Sequence, residues 1–184
     1  MSTSKYGAWI GAGLLVLGSA SALAQSSVPS TGSSPAMSKS AETADKSFVD
    51  AAAVGGITEV KLGQLAQNSG SAAEVKSFGQ HMVDDHTKAN NELAALAKTK
   101  GITPPSTPDA DHQKVIEKFS VLNGKDFDSA YWKQMLDDHK KTITLFEKEA
   151  QFGKDSDLKA FASKTLPTLK GHLQMVQETM KGKL

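Results

Sequence analysis

Four long stretches of this sequence repeat their apolar residues at spacings of three and four, with glycines punctuating the breaks between them. That is the period of a helix, and no stretch alternates with a period of two between turn signals. The chain is therefore held to an all-α fold. The first helix, over about 46–68, aligns Phe48, Ala52, Gly55, Glu59, Leu62 and Ala66, and Ser69-Gly70 breaks it. Ser71 and Glu74 then read as an S-x-x-E capping box opening a second helix. Its stripe is Val75, Phe78, Met82, His86, Ala89, Leu93 and Leu96, and Gly101 ends it. A proline-rich loop leads to a short helix over about 108–122, with Pro108 at its start. The third long helix, about 126–152, carries Phe127, Tyr131, Met135, His139, Thr142 and Phe146. Asp155 is placed to cap the fourth, about 156–181, which turns Leu158, Phe161, Leu169, His172, Val176 and Met180 inward. Pro167 is expected to interrupt and kink that helix. Together these stripes predict an antiparallel four-helix bundle over 46–184, with the short helix in the connection between two hairpins.

The stripes turn polar at one level. Glu59, His86, His139 and His172 each sit on the inward stripe of a different long helix, near its middle. In an antiparallel bundle the midpoints of neighbouring helices meet, so four ionisable side chains converge on one layer of the core. Burying such groups is costly unless they are paired or coordinated. Three imidazoles and a carboxylate suit a transition metal such as Fe, Zn, Mn or Cu. Asp85 and Asp138 each precede a stripe histidine and are candidates for additional ligands or for orienting an imidazole. Tyr131 is placed to donate a hydrogen bond, while His81 and His112 read as surface residues. The competing reading is a purely structural layer of hydrogen-bonded His and Glu in a non-enzymatic envelope or stress protein. Gly55-Gly56, one turn before Glu59, calls for a close helix approach or room for a ligand, since mid-helix glycine is costly.

The rest of the chain narrows the setting. Residues 1–24 carry Lys5, an apolar run from Ala8 to Leu17 and a small-residue end at Ala22-Leu23-Ala24. This is the layout of a secretory leader cleaved near Ala24, and the run is too short to span a membrane. The expected destination is the periplasm or the cell exterior. Residues 25–45, rich in Ser, Pro, Gly and Ala, read as a flexible linker. There are 21 basic residues, every one a Lys, against 20 acidic ones, so no basic footprint for nucleic acid exists. The chain has no Cys, which removes disulfides, thiolate metal sites and cysteine nucleophiles. Phosphate-binding glycine loops, serine nucleophile elbows and the H-E-x-x-H pattern are missing, and no organic cofactor is indicated. An envelope protein or polymer is a possible partner; the oligomeric state is not encoded legibly. The segment Ala73-Glu74-Val75-Lys76-Ser77-Phe78 echoes Ser156-Asp157-Leu158-Lys159-Ala160-Phe161, which suggests two related hairpins.

Four motifs carry a family resemblance. They are Gly55-Gly56-Ile57-Thr58-Glu59-Val60-Lys61-Leu62-Gly63, Met82-Val83-Asp84-Asp85-His86 with Ala89-Asn90, Leu145-Phe146-Glu147, and Leu166-Pro167-Thr168-Leu169-Lys170-Gly171-His172-Leu173. In these the chain resembles the exported bacterial domain of unknown function 4142, often labelled an outer-membrane protein, over about 46–180. The resemblance implies a ferritin-like four-helix bundle and no established activity. Neither a barrel pattern nor a lipid-bearing cysteine supports the membrane label. Ferritin-like di-iron sites use Glu-x-x-His, whereas here Val83 and Leu169 stand three residues before His86 and His172. A mononuclear, histidine-rich site is the simpler expectation.

Overall fold

A computed structural model of the chain describes residues 35–182. The expected leader, 1–24, and residues 25–34 of the expected linker lie outside them. The described residues form α1 (Pro35–Ser69), α2 (Ala73–Thr99), α3 (Ala110–Ser120), α4 (Gly124–Phe152) and α5 (Ser156–Lys181), with no strand. They make a helical bundle in which α1 packs chiefly on α2, and α4 on α5.

Most helix ends follow local chemistry. The described part of α1 already runs from Pro35, well before the expected start near 46, and residues 36–45 hold no proline or glycine to break it. Gly101, at φ 68°, takes the left-handed conformation that ends α2. The Asp109 carboxylate accepts from the Asp111 and His112 N–H groups, so α3 starts at Ala110 rather than at Pro108. Asp155 caps α5 as expected, accepting from the Asp157 and Leu158 N–H groups. α5 then runs through Pro167 to Lys181 without a break.

The capping box at Ser71 and Glu74 does not form. Ala72 is the N-cap residue of α2, and its own side chain supplies no hydrogen bond. A backbone bridge pairs Gly70 with Gly124, which brings the first turns of α4 to this joint. There the buried Asp128 carboxylate accepts from Ser71 N–H, Ser71 Oγ and Ala72 N–H. An ionised carboxylate is a stronger acceptor than a serine hydroxyl, so the distant residue wins. The other joint is held the same way. Asp45 of α1 accepts from the Lys154 and Asp155 N–H groups at 3.0 and 2.9 Å. Each helix pair thus holds the turn of the other.

This second joint carries a pH dependence. Glu149 is buried beside it, its carboxyl pushed up to about 7 by burial, then by the Asp45 and Asp155 carboxylates, against the pull of Lys159. The folded chain therefore holds this proton more tightly than the unfolded chain, whose carboxyl titrates near 4.5. That contribution is present below the unfolded value and is lost as pH rises through about 7. Glu149→Gln, which stays neutral, is expected to match the native chain at pH 4 and to exceed it by about 3 kcal/mol at pH 8. Urea melts at both pH values measure this difference. Parallel pH profiles for the two proteins would refute the assignment.

The core has two parts. One cluster includes Phe48, Val49, Leu93, Ile143, Phe146 and Phe161. The other includes Leu62, Val75, Met82, Phe127, Trp132 and Met135, and α3 contributes Phe119 to it. On each of the four long helices a polar residue lies between the positions given to these clusters: Glu59, His86, His139 and His172. α1 and α2 approach closely at Gly63 and Gly79. A Cβ on Gly63 would stand 2.6 Å from the Gly79 carbonyl oxygen, and one on Gly79 would stand 2.7 Å from that of Gly63. Backbone meets backbone there, which only glycine permits.

Candidate metal site

Glu59, His86, His139 and His172 are all buried, none more than 6% exposed. The sequence pattern placed them in one layer, and the structure brings them together. The three imidazoles offer ligand atoms within 4.8 Å of one another. Their ring centroids lie 5.4–6.0 Å apart, and the Phe78 ring packs against His139 and His172 from one side.

Two hydrogen bonds fix the tautomers. His139 Nδ1 lies 2.9 Å from the Met135 carbonyl oxygen one turn back. A carbonyl can only accept, so in the neutral ring Nδ1 carries the proton and Nε2 is a bare lone pair. His172 Nε2 donates to Asp85 Oδ2 at 2.9 Å, which leaves His172 Nδ1 bare. These two bare nitrogens face each other at 3.4 Å. With both rings neutral no proton lies between them and they repel, and a cation converts that repulsion into coordination. The spacing matches the edge of a tetrahedron whose ligands stand at about 2.0–2.1 Å, the Zn–N distance.

The other two groups are less satisfied. His86 Nε2 stands 3.0 Å from Glu59 Oε2, but the pair is out of line for a hydrogen bond, and neither atom has a hydrogen-bond partner. Glu59 Oε1 is 3.5 Å from His139 Nδ1 and is likewise unpartnered. Buried polar atoms left this way are rare and call for an explanation such as an ion. Burial raises the Glu59 carboxyl, but the imidazoles of His86, His139 and His172 outweigh it and hold the group well below the usual carboxylate range. Burial opposes the His86 imidazolium, yet Glu59 and Asp85 keep it above the ordinary imidazole value. Burial pushes His172 down to about 4 despite its bond to Asp85, so its ring is neutral at pH 7.

The flanking residues separate. Asp85 orients His172, in the role suggested by its place beside His86, though for a different ring. Asp138 does not touch the imidazoles; Gln134 Nε2 holds both of its oxygens at 2.9 and 2.8 Å. Tyr131 is buried with its hydroxyl unpartnered, and burial with the Glu59 charge keeps it protonated. His81 is exposed, and His112 pairs with Asp109 on the surface. The Met135 carbonyl was not anticipated, although its place four residues before His139 was a readable signal.

A groove of about 640 Å³ runs along the α1 face of the site. Asp50, Thr58, Asp109, His112, Asp138 and Lys141 line it, and it reaches Glu59. A smaller cavity of about 30 Å³ touches both Glu59 and His86. The two glycines before Glu59 differ. A Cβ on Gly56 would stand 2.0 Å from Asn90 Oδ1, whereas one on Gly55 would meet nothing within 4 Å.

The model of a domain of unknown function, DUF4142, matches residues 29–179. The chain belongs to this family. No curated protein matches the sequence. Two solved structures resemble this DUF4142 fold, each at 12% identity. One is a DUF305 protein from Streptomyces coelicolor, named as a secreted protein, with a TM-score of 0.63 over 76% of this chain and 93% of its own. The other is a conserved hypothetical protein, rv2844, from Mycobacterium tuberculosis, with a TM-score of 0.60 over 77% and 93%. These likenesses concern the fold alone. Among the described residues of the DUF4142 domain, no helix is long and apolar enough to cross a membrane.

Proposed function

We propose that this chain is an exported protein whose antiparallel, ferritin-like four-helix core binds one transition-metal ion. His86, His139 and His172 supply nitrogens and Glu59 an oxygen; Asp85 positions His172. The observation that carries this reading is the pair of imidazole nitrogens, bare when both rings are neutral, that face each other at 3.4 Å in a buried layer. A purely structural layer would instead protonate His139 and let its Nε2 donate to His172 Nδ1 across the same 3.4 Å. With one carboxylate among four ligands, a carboxylate-bridged di-iron centre is not built here. A single ion held this way suits metal buffering or protection against oxidative stress in the periplasm. Export rests on the leader-like residues 1–24, and a structural neighbour named as secreted is in keeping with it.

The test is metal content. The full precursor is expressed, the mature domain is purified untagged from the periplasm, and bound metals are measured by mass spectrometry. About one equivalent of a single transition metal is expected, as suits a single set of N and O ligands. It should be absent from a folded His139→Ala variant. A native protein that carries no metal and refuses added Zn, Fe, Mn and Cu would overturn the reading.

A further inference from the structure

The two halves of the domain correspond residue by residue. The first residues of α2 and α5, Ala73 and Ser156, are 83 apart (156 − 73). The turn-holding carboxylates Asp45 and Asp128 are separated by the same interval, and so are their donors, Ser71 and Ala72 against Lys154 and Asp155. Hydrogen bonds made reciprocally at one fixed offset mark an internal duplication with both copies folded alike.

The ligand layer breaks this correspondence. Moved by the same interval, Glu59 falls on Thr142, His86 on Leu169, His139 on Gly56 and His172 on Ala89. None of the four counterparts can reproduce the ligand it stands for. All four line the 30 Å³ cavity. One copy of the layer thus carries the ligands and the other carries the void beside them. The void touches Glu59 and His86, the two members of the ligand layer with buried polar atoms that lack hydrogen-bond partners. It has room for about two waters or one molecule of two or three heavy atoms.

The void also adjoins the groove. Ala51, Gly55, Glu59, Thr142 and Leu145 line both this cavity and the large groove. Gly55 stands at that junction, where a Cβ would meet nothing. Alanine would fit there and would favour the helix, so packing does not account for the glycine. Its bare backbone keeps the junction wide.

We propose that this cavity binds a small exogenous ligand of the ion, a water-sized molecule or a small anion, on the Glu59 and His86 side, and that Gly55 is its entrance. The proposal rests on the metal reading above. It places one coordination position, or one that opens when Glu59 shifts, toward a space that admits only very small molecules.

Azide added to the Co(II)-loaded protein tests it, with visible absorption as the readout. Co(II) stoichiometry is measured first and judges the metal reading by itself; a chain that takes up no Co(II) defeats both. In the loaded native protein, azide is expected to change the Co(II) bands saturably. Gly55→Leu, whose side chain enters the junction, is expected to keep its Co(II) and its melting curve while weakening azide by about tenfold or more. Gly55→Ala should stay close to the native protein. If Gly55→Leu does not fold, Thr142→Leu fills the same space from α4 and should give the same loss. A Co(II) protein indifferent to azide, or one whose azide affinity survives a folded cavity-filling variant, overturns the proposal and leaves the metal reading standing.

Discussion

Removing the ion is expected to lower the melting temperature of the purified domain by about 10 °C or more. A ligand that binds only the folded state contributes about 4 kcal/mol when its free concentration is about a thousand times its dissociation constant. For a domain of this size each kcal/mol shifts the midpoint by about 3 °C. The physical origin is local. With neutral rings and no ion, the layer confronts two imidazole lone pairs at 3.4 Å and buries a Glu59 carboxylate whose near imidazole, His86, stands at 3.0 Å but out of line for a hydrogen bond. An ion answers both at once. Melts in excess Zn(II) and in EDTA, followed by circular dichroism, measure the gap. His139→Ala removes one of the facing nitrogens and should close that gap, whatever it costs in basal stability. Equal midpoints for the native protein with and without EDTA would return the layer to a structural role.

Asp128→Ala is expected to cost about 3–4 kcal/mol, because hydrogen bonds to a charged group are worth about 1.5–3 kcal/mol each and are not additive. Three donors converge on this carboxylate: Ser71 N–H, Ser71 Oγ and Ala72 N–H. Alanine leaves two backbone N–H groups at a helix start without their acceptor. Water reaches part of this joint, which keeps the cost below the sum of the three bonds. Asp128→Asn retains an acceptor oxygen but no charge and should fall between the two. Asp126→Ala, at an exposed acid two residues away, should cost little. Urea melts with an unchanged slope report the difference as a shift in midpoint. A loss below about 1 kcal/mol, the scale of an ordinary neutral hydrogen bond, would mean that Asp128 is a spectator.

What the sequence disclosed depends on the range of the interaction behind each feature. Helix existence and the inward stripes are short-range properties, and Phe48, Leu62, Phe78, Met135 and Leu158 are buried as their spacing requires. The polar layer was legible for the same reason: each of Glu59, His86, His139 and His172 interrupts an apolar stripe. The caps divide by distance. Asp155 binds N–H groups two and three residues on, so its role is readable from its own neighbourhood. Asp128 and Asp45 bind turns 56 to 110 residues away, and no local pattern reports that. At Ser71 the local signal pointed the wrong way, since the residue that fits a capping box serves a distant carboxylate instead. Asp85 and Asp138 look equivalent in sequence, each preceding a histidine. Only the packing of α5 against α2 gives Asp85 the His172 ring, while Gln134 on the same helix holds Asp138.

The reciprocal hold of Asp45 and Asp128 has a consequence for ancestry. Two identical helix pairs joined as a dimer would satisfy the same bonds between separate chains. Every side chain near such an axis would then occur twice, and a ligand could be gained or lost only in both copies together. Joining the copies in one polypeptide lifts that restriction. Thr142 and Leu169 can then drift from what Glu59 and His86 must remain, and a centre with distinct faces becomes reachable by single substitutions.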